Sequence, residues 1–298
     1  MTAFLVVAFL FLAPPLFLLA PLALLLVFSG PKTAREWIWI LLSGGGSLKL
    51  VLDLGGADLP SRLIGTAGLL SAAGFVVMTN LLPTLSTVVR GLIVVGVSAI
   101  GLAGWVLWYG IDLSPVDAAI ADQIRRSVDL WLQGAAGDQV AAAKESAASV
   151  ARLFPGMVAL QALLGLGLAW RWYHRIATSP LPPPPAPFRV FRFDDHLIWG
   201  AIFTLALALV PLGEPAGRIA ENLLVVWVGL YGVRGLAVAQ HASRNWPLPG
   251  KLLMFAFAFL ALPVALGTLV TLGLADTWLD FRNRPVPDGG NTDGSHSS

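Results

Sequence analysis

A few residues that could bind a polar solute lie inside, or at the end of, long apolar stretches of this chain. Residues 219–241 contain Asn222 and Arg234, and the last apolar stretch ends near Asp276 and Arg282. A guanidinium donates several hydrogen bonds, a carboxylate accepts them, and an amide does both. We therefore predict Asn222, Arg234, Asp276 and Arg282 as candidate solute-binding residues.

Three further charged residues lie in apolar surroundings. Lys49 and Asp53 are four residues apart and share a helix face. They predict an ion pair near the outer membrane interface, or alternatively a pair that lines a pore. Glu221 is predicted at the outer interface, and Asn222 beside it would either bind solute or bridge two helices, which is the commoner use of such an amide.

The depth of Arg234 also allows two interpretations. Arg234 lies 13 residues beyond Glu221, about 20 Å along a helix. Helical side chains lean toward the N-terminus, which directs Arg234 toward the membrane centre, whereas snorkelling would direct it to the inner interface. Asp276 is the natural partner on a neighbouring span, although its depth would also fit the opposite membrane face.

No catalytic pattern is legible in the sequence. It has no P-loop, dinucleotide glycine fingerprint, G-x-S-x-G or H-E-x-x-H motif, and no cysteine. Its four histidines are scattered without metal-ligand spacing. We therefore expect no enzyme activity, metal or cofactor, although carboxylates from separate helices could still converge. The net charge of +2 is dispersed, which argues against a nucleic-acid partner.

Composition indicates the elements that must position these residues. The chain of 298 residues is 56% hydrophobic and 12% charged, with a mean hydropathy of +0.77. Its apolar blocks are about 20 residues long, enough to cross a bilayer as helix. We predict an all-α, polytopic transmembrane helix bundle of about eight spans (seven to nine). The expected spans are about 3–29, 36–54, 62–82, 88–110, 155–173, 196–212, 219–241 and 251–275.

Prolines and small residues add local expectations. Prolines 14, 15 and 21 predict that the first apolar block is kinked or broken, and one kinked span is favoured over two because each fragment alone is too short to cross. Pro263 predicts a bend in the last span. Small residues at helical spacing predict close helix packing. They are Gly65, Gly68 and Ala72 in span three, Gly91, Gly96, Gly101 and Gly104 in span four, and Gly229, Gly232 and Gly235 in span seven. Arg90, in the first turn of span four, is predicted to snorkel to lipid phosphates.

Residues 114–153 differ in character from the apolar blocks. A Ser-Pro start at Ser114 and an apolar stripe through Val116, Ile120 and Ile124 predict an amphipathic helix, followed by an Ala-rich helix. This insert is too polar to span the membrane. It would lie flat at the interface as a hairpin, or fold back over the bundle as a lid.

A proline-rich segment divides the chain. We predict an N-terminal membrane half over 1–178, a cytoplasmic linker over 179–195, a C-terminal membrane half over 196–282, and a disordered polar tail over 283–298. Arg189 and Arg192 give this linker the strongest positive-inside signal, which places both chain termini outside.

The C-terminal third contains a pattern of nine residues that are found together in one known family. They are Asn222, Gly235, Leu236, Ala237, Asp276, Trp278, Asp280, Phe281 and Arg282. By these residues this third resembles the YybS-like family of uncharacterised bacterial inner-membrane proteins. Arg234 departs from that family's pattern, which has an uncharged polar residue there.

The resemblance implies a multi-pass protein of the bacterial inner membrane. The family is in turn similar to the substrate-binding subunits of energy-coupling-factor vitamin transporters and to the cell-shape protein MreD. The first likeness implies a transporter-like subunit for a small solute, energised by ATPase subunits. The second implies a scaffold that recruits envelope or cytoplasmic machinery through the proline-rich linker.

Overall fold

The computed structural model describes residues 2–131, 137–211 and 213–281, and over these residues it consists of helices and their connections without a β-strand. The α-helices are α1 (Thr2–Leu12), α2 (Leu16–Phe28), α3 (Ala34–Asp53), α4 (Leu59–Leu81), α5 (Thr87–Trp108), α6 (Ser114–Trp131), α7 (Gly137–Glu145), α8 (Ala147–Arg152), α9 (Phe154–Ile176), α10 (Leu197–Leu209), α11 (Ala216–Ala242), α12 (Leu248–Leu260) and α13 (Leu262–Leu279). The predicted all-α class is confirmed.

Six helical segments of the described chain are long and apolar enough to cross a membrane. They are Ala34–Gly56, Leu59–Leu81, Thr87–Trp108, Phe154–Ile176, Ala216–Asn245 and Leu262–Leu279. The expected first and sixth spans account for the difference from eight. The first is divided by Pro14 and Pro15 into α1 and α2, and α10 has only 13 residues, about 20 Å of helix.

The expected eighth span is two helices rather than one bent helix. The helix is interrupted at Ala261, between α12 and α13, where the backbone dihedral angles are not α-helical. Pro263 lies in the first turn of α13, a position where its missing N–H costs no helical hydrogen bond. The proline therefore begins a new helix instead of bending an existing one.

The chain divides into two compact units. The first contains Met1–Pro185 and Trp199–Trp227, and the second contains Ala186–Ile198 and Val228–Ser298. This division differs from the expected halves, because residues 199–227 belong to the first unit. Local contacts explain the assignment: Trp227 packs on Gly200 and donates to the Thr204 hydroxyl over 3.1 Å.

The short helix α2 forms the centre of the first unit. It contacts α3, α4 and α9, and its apolar side chains from Leu16 to Leu26 are almost all buried. Gly68 of α4 faces the Phe17 ring, and at Gly165 of α9 an added Cβ would lie 2.7 Å from the Phe17 carbonyl oxygen. The predicted small-residue ridge of α4 is thus confirmed as a packing surface.

The glycine pattern of α5 is only partly a packing surface. Gly91 faces Leu163, but a Cβ at Gly96, Gly101 or Gly104 would have no neighbour within 4 Å among the described residues. The prediction of close packing was wrong for these three glycines, because the buried face of α5 runs through Val94, Val95 and Ser98 instead. 

The polar insert, α6 to α8, packs against other helices of the first unit. Val116, Ile120 and Ala121 of α6 form an apolar cluster with Ala151 of α8, and side chains of α4 and α9 pack against it. Ionic contacts also hold the insert, since Arg218 of α11 donates two hydrogen bonds of 2.7 Å to Asp117. These contacts fit an insert that folds back onto the helices, and its position relative to the membrane interface stays a prediction.

Candidate functional site

The second unit contains a buried arginine held by two carboxylates. Arg234 lies on α11, and its side chain is fully buried. Its Nε donates over 2.9 Å to Asp276 of α13, which is also fully buried, and its Nη1 donates over 2.8 Å to Asp195. The expected partnership of Arg234 and Asp276 is therefore present, and Arg234 faces protein instead of snorkelling.

Further ion pairs connect this buried arginine to the surface of the second unit. Asp195 also accepts from Arg192 over 2.7 Å, and Arg192 lies 3.3 Å from Asp280 at the C-terminal end of α13. The set of Arg192, Asp195, Arg234, Asp276 and Asp280 is called the arginine–aspartate network below. It runs from fully buried groups to side chains that are 37–38% exposed.

Asp195 lies where the network meets solvent, before the start of α10. Burial would raise the pKa of its carboxyl group, but hydrogen bonds from Arg192 and Arg234 outweigh burial and hold the pKa below its ordinary value. Asp195 raises the pKa of Arg192 in turn. Asp195 is therefore a carboxylate at neutral pH, and it is the more exposed of the two partners of Arg234.

Close helix packing and aromatic rings position the network. A Cβ at Gly235 would overlap the carbonyl of Leu269, and one at Gly273 would overlap the carbonyl of Tyr231, so α11 and α13 approach closely at these glycines. Phe193 packs edge-on to Tyr231, and the Arg234 guanidinium carbon lies 5.3 Å from the Phe193 ring centroid. The guanidinium is therefore held on one face by an aromatic ring as well as along its edge by carboxylates.

One donor of Arg234 remains available. Its Nη2 is buried and has no hydrogen-bond partner among the described residues. Leaving a buried donor unpaired costs about 1–3 kcal/mol, and more for a charged group. A group with an acceptor oxygen, placed against this edge of the guanidinium, would remove that cost.

Asn222 lies in the first unit, not in the arginine–aspartate network. Its Oδ1 accepts from the Gly156 N–H over 2.6 Å, and its Nδ2 donates to the carbonyls of Arg152 and Arg218. The amide thus joins α11 to α8 and α9 and uses its oxygen and nitrogen fully. This geometry matches the helix-bridging interpretation, and Asn222 is separate from Arg234 and Asp276. Arg282, the fourth candidate, lies outside the described residues.

The other polar residues singled out in the sequence lie at the surface of the first unit. Glu221 lies 3.5 Å from Arg152, which also pairs with Glu214 over 2.6 Å. Lys49 and Asp53 form an ion pair of 2.7 Å whose side chains are 77% and 59% exposed. This exposure fits an interfacial pair and does not fit a pair lining an enclosed pore.

Arg90 contradicts the expectation of a snorkelling side chain. It is fully buried between α4 and α9, with its guanidinium carbon 5.1 Å from the Trp170 ring centroid and 6.0 Å from that of Phe75. The prediction was wrong because it considered the depth of Arg90 but not the neighbouring helices that enclose it.

The carboxylates of the network do not form a metal site or a legible acid–base pair. Asp195, Asp276 and Asp280 converge from separate elements, as an intramembrane enzyme would require, but each contacts an arginine. Over the described ranges, no group of three or more His, Asp or Glu residues is placed to hold a metal ion.

Sequence reasoning missed the segment that completes the network. Arg192 was noted only as a positive charge in the linker, and Phe193 and Asp195 were not singled out. The available signal was the run Arg-Phe-Asp-Asp-His at 192–196, which concentrates charge immediately before an apolar helix. Charges in that position cap and anchor a helix, so their second role required the tertiary structure.

Comparison with known proteins gives a family but no named relative. A family described as "Predicted membrane protein (DUF2232)" matches residues 1–277, so the likeness extends over the N-terminal half and not only the C-terminal third. No curated protein and no solved structure matches the chain, and similarity to energy-coupling-factor subunits or MreD stays a prediction. Membership of an uncharacterised membrane family, expected from the sequence, is confirmed. The chain belongs to the DUF2232 family of predicted membrane proteins.

Proposed function

We propose that this protein is a transporter-like subunit of the bacterial inner membrane that binds a small solute carrying an anionic group. The observation that supports this proposal is the free Nη2 donor of the fully buried Arg234. An ionisable group at membrane depth usually belongs to a functional site, because its desolvation is costly. A carboxylate or phosphate of a solute is the partner that this donor lacks.

Asp195 is the partner that a solute would displace. Its side chain is 38% exposed, whereas Asp276 is fully buried and stays with Arg234. A planar guanidinium binds an anion through two parallel hydrogen bonds when both Nη atoms are available. Release of Asp195 from Nη1 would therefore let a solute anion occupy Nη1 and Nη2 together, while Arg192 retains the Asp195 carboxylate.

Ligand binding by native mass spectrometry in lipid nanodiscs tests this proposal. A panel of organic anions, cations and neutral solutes is offered to the wild type and to Arg234→Gln, Asp195→Asn and Arg125→Gln. We expect the wild type to bind an anion. Arg234→Gln should lower the affinity for that anion about tenfold or more, because a charge-assisted contact is lost. Arg125 pairs with Asp122 on the exposed face of α6, so Arg125→Gln is the matched control and is expected to have no effect on binding.

Asp195→Asn distinguishes a network that binds solute from one that only stabilises the fold. It neutralises the competitor for Nη1, so the anionic solute is expected to bind several-fold more tightly than to the wild type. A purely structural network predicts equal or weaker binding in this variant. Preference for cations or neutral solutes, or full binding by Arg234→Gln, would contradict the proposal.

The protein would also need a source of energy for transport. No nucleotide-binding motif is present in the sequence, so ATPase subunits are the proposed energising partners. Their co-purification from gently extracted membranes would support this role.

A membrane scaffold is the second candidate, and an exposed proline run favours it. Leu181 is fixed by its N–H to the Tyr173 hydroxyl, and Pro182, Pro183 and Pro184 that follow are exposed. Extended proline segments are common docking sites for other proteins. Replacement of residues 182–187 by Gly and Ser should remove co-purifying envelope proteins if this function holds, and unchanged partners would exclude it.

A further inference from the structure

Arg90 in the first unit is a buried cation without a counter-charge. Its side chain is fully enclosed, and its Nε and Nη1 atoms have no hydrogen-bond partner among the described residues. Its Nη2 reaches only the Thr87 hydroxyl, at 3.4 Å. No carboxylate lies within ion-pair distance of Arg90 in the described part of the chain.

The position of Arg90 on its helix makes this burial more costly. Arg90 is in the first turn of α5, where the helix dipole is positive and repels a cation. Its side chain leans toward the N-terminus, so the guanidinium lies beside Thr87, the first residue of the helix. An anion at this point would be stabilised by both the guanidinium and the helix end.

One described aromatic side chain that packs on Arg90 supplies a further donor and not an acceptor. The Trp170 indole N–H is also buried and unpaired, and its ring packs 5.1 Å from the Arg90 guanidinium carbon. Glu36, a buried carboxylate of the first unit, accepts from the Lys32, Thr33 and Thr178 backbone N–H groups and is already satisfied. Cation–π contact with Phe75 and Trp170 offsets only part of the desolvation of a full charge.

We propose that Arg90 and the Trp170 indole N–H form a binding site for a phosphate-type oxyanion. Such an anion accepts several hydrogen bonds and neutralises the guanidinium, which no described side chain does. The phosphate comes either from the head group of an anionic lipid or from free inorganic phosphate. The site lies wholly in the first unit and is independent of the function proposed for Arg234.

Thermal unfolding in nanodiscs, followed by tryptophan fluorescence, tests the site and distinguishes the two sources. One arm titrates inorganic phosphate into discs of phosphatidylcholine alone. The other replaces part of that lipid with phosphatidylglycerol and adds no phosphate, with native mass spectrometry to count retained lipid. A rise in the unfolding midpoint of the wild type in the first arm identifies free phosphate, and a rise in the second identifies the lipid head group.

Amino-acid substitutions test whether the rise in the unfolding midpoint depends on Arg90. Arg90→Gln is expected to weaken the apparent affinity about tenfold or more, because a charge-assisted contact is lost. Trp170→Phe keeps the ring and removes one donor, so a several-fold loss is expected. Two matched controls should respond like the wild type. Trp172→Phe removes the unpaired indole N–H of a ring that packs on Trp39. Arg175→Gln removes an exposed charge at the C-terminal end of α9, the helix that carries Trp170.

Two results would overturn the proposal. One is a wild-type protein that neither anion stabilises. The other is a response that persists in Arg90→Gln or, if that variant does not fold, in both Arg90→Lys and Trp170→Phe. A general effect of charge would lower the response of Arg175→Gln as much as that of the Arg90 variants, and this outcome would also contradict a specific site.

Discussion

At the scale of single residues, two fully buried arginines are stabilised in different ways. Arg234 donates to the carboxylates of Asp195 and Asp276, whereas Arg90 contacts the rings of Phe75 and Trp170. Removing one partner of a buried ion pair destabilises the fold by about 3–5 kcal/mol, because the remaining charge is then neither paired nor solvated. Arg90 has no such partner among the described residues, so an external anion is inferred for Arg90 and a solute contact for Arg234.

Asp195 provides a test of the exposed end of the network through its pH dependence. Its pKa is held below the ordinary value by Arg192 and Arg234, so its contribution to stability is present above the unfolded-state pKa. That contribution is lost as the pH falls through the lower, folded-state pKa. Asp195→Asn should therefore destabilise the protein at pH 7, by about 1 kcal/mol after discounting for solvent screening of a partly exposed group.

The measurement is thermal unfolding of both proteins at pH 7 and in the acid range. The difference between wild type and Asp195→Asn should begin to shrink as the pH falls below about 4, where the unfolded state takes up a proton first. It should be lost below the lower folded-state pKa, where the wild-type carboxyl group is protonated in both states. Asp122→Asn, which removes the exposed partner of Arg125, is the control and should change little. A difference that stays constant with pH would show that the charge of Asp195 does not stabilise the fold.

At the scale of helices, local patterns predicted which segments are helical better than they predicted helix partners. Hydropathy gave α3, α4, α5 and α9 nearly at their observed bounds, because each is bounded by polar residues or a capping group such as Thr33 or Ser86. Small-residue spacing was less specific. It identified the buried face of α4 but also suggested packing at Gly96 and Gly101, which are exposed.

Close approach of α11 and α13 predicts that glycine is required at one position of α13 and not at another. A Cβ at Gly273 would overlap the Tyr231 carbonyl, whereas a Cβ at Gly267 would meet nothing within 4 Å among the described residues. Gly273→Ala should destabilise the protein by about 1–3 kcal/mol, because overpacking forces the helices apart. Gly267→Ala should be neutral or stabilise by up to about 1 kcal/mol, since alanine favours helix.

Thermal unfolding of the two alanine variants in the same nanodiscs checks this prediction. Gly273→Ala should also reduce solute binding at Arg234, because the same helix pair positions Asp276 against Arg234. Equal unfolding midpoints for the two variants would mean that the helices do not meet at Gly273.

At the scale of the whole chain, the membrane class and most spans followed from the sequence, but the site followed only in part. The pair of Arg234 and Asp276 could be proposed because buried charges need partners. Helix bridging was one of the two predicted roles of Asn222, but its partners could not be predicted, since only the fold brings the backbone groups of Gly156 and Arg152 near its amide. Asp195 was missed for a similar reason: its charge looks like an ordinary helix cap in the sequence.

The topology of the first unit predicts that the insert and the proline-rich segment lie on opposite sides of the membrane. The insert ends at α8, immediately before α9, and the proline-rich segment begins after Ile176 at the other end of that helix. α9 has 23 residues, about 35 Å of helix, slightly more than the thickness of the hydrocarbon core. The positive-inside rule predicts, from Arg171 and Arg175, that its C-terminal end is the cytoplasmic one.

Single-cysteine labelling checks this topology directly, because the chain has no cysteine of its own. Gln123→Cys on α6 and Pro184→Cys in the proline-rich segment are both at exposed positions, and Ser43→Cys at a buried one is the control. An impermeable maleimide should label Gln123→Cys in intact cells and Pro184→Cys only after permeabilisation, with Ser43→Cys unlabelled throughout. Labelling of both exposed sites from one side would mean that α9 does not cross the membrane, whereas the reversed pattern would mean that it crosses in the opposite direction.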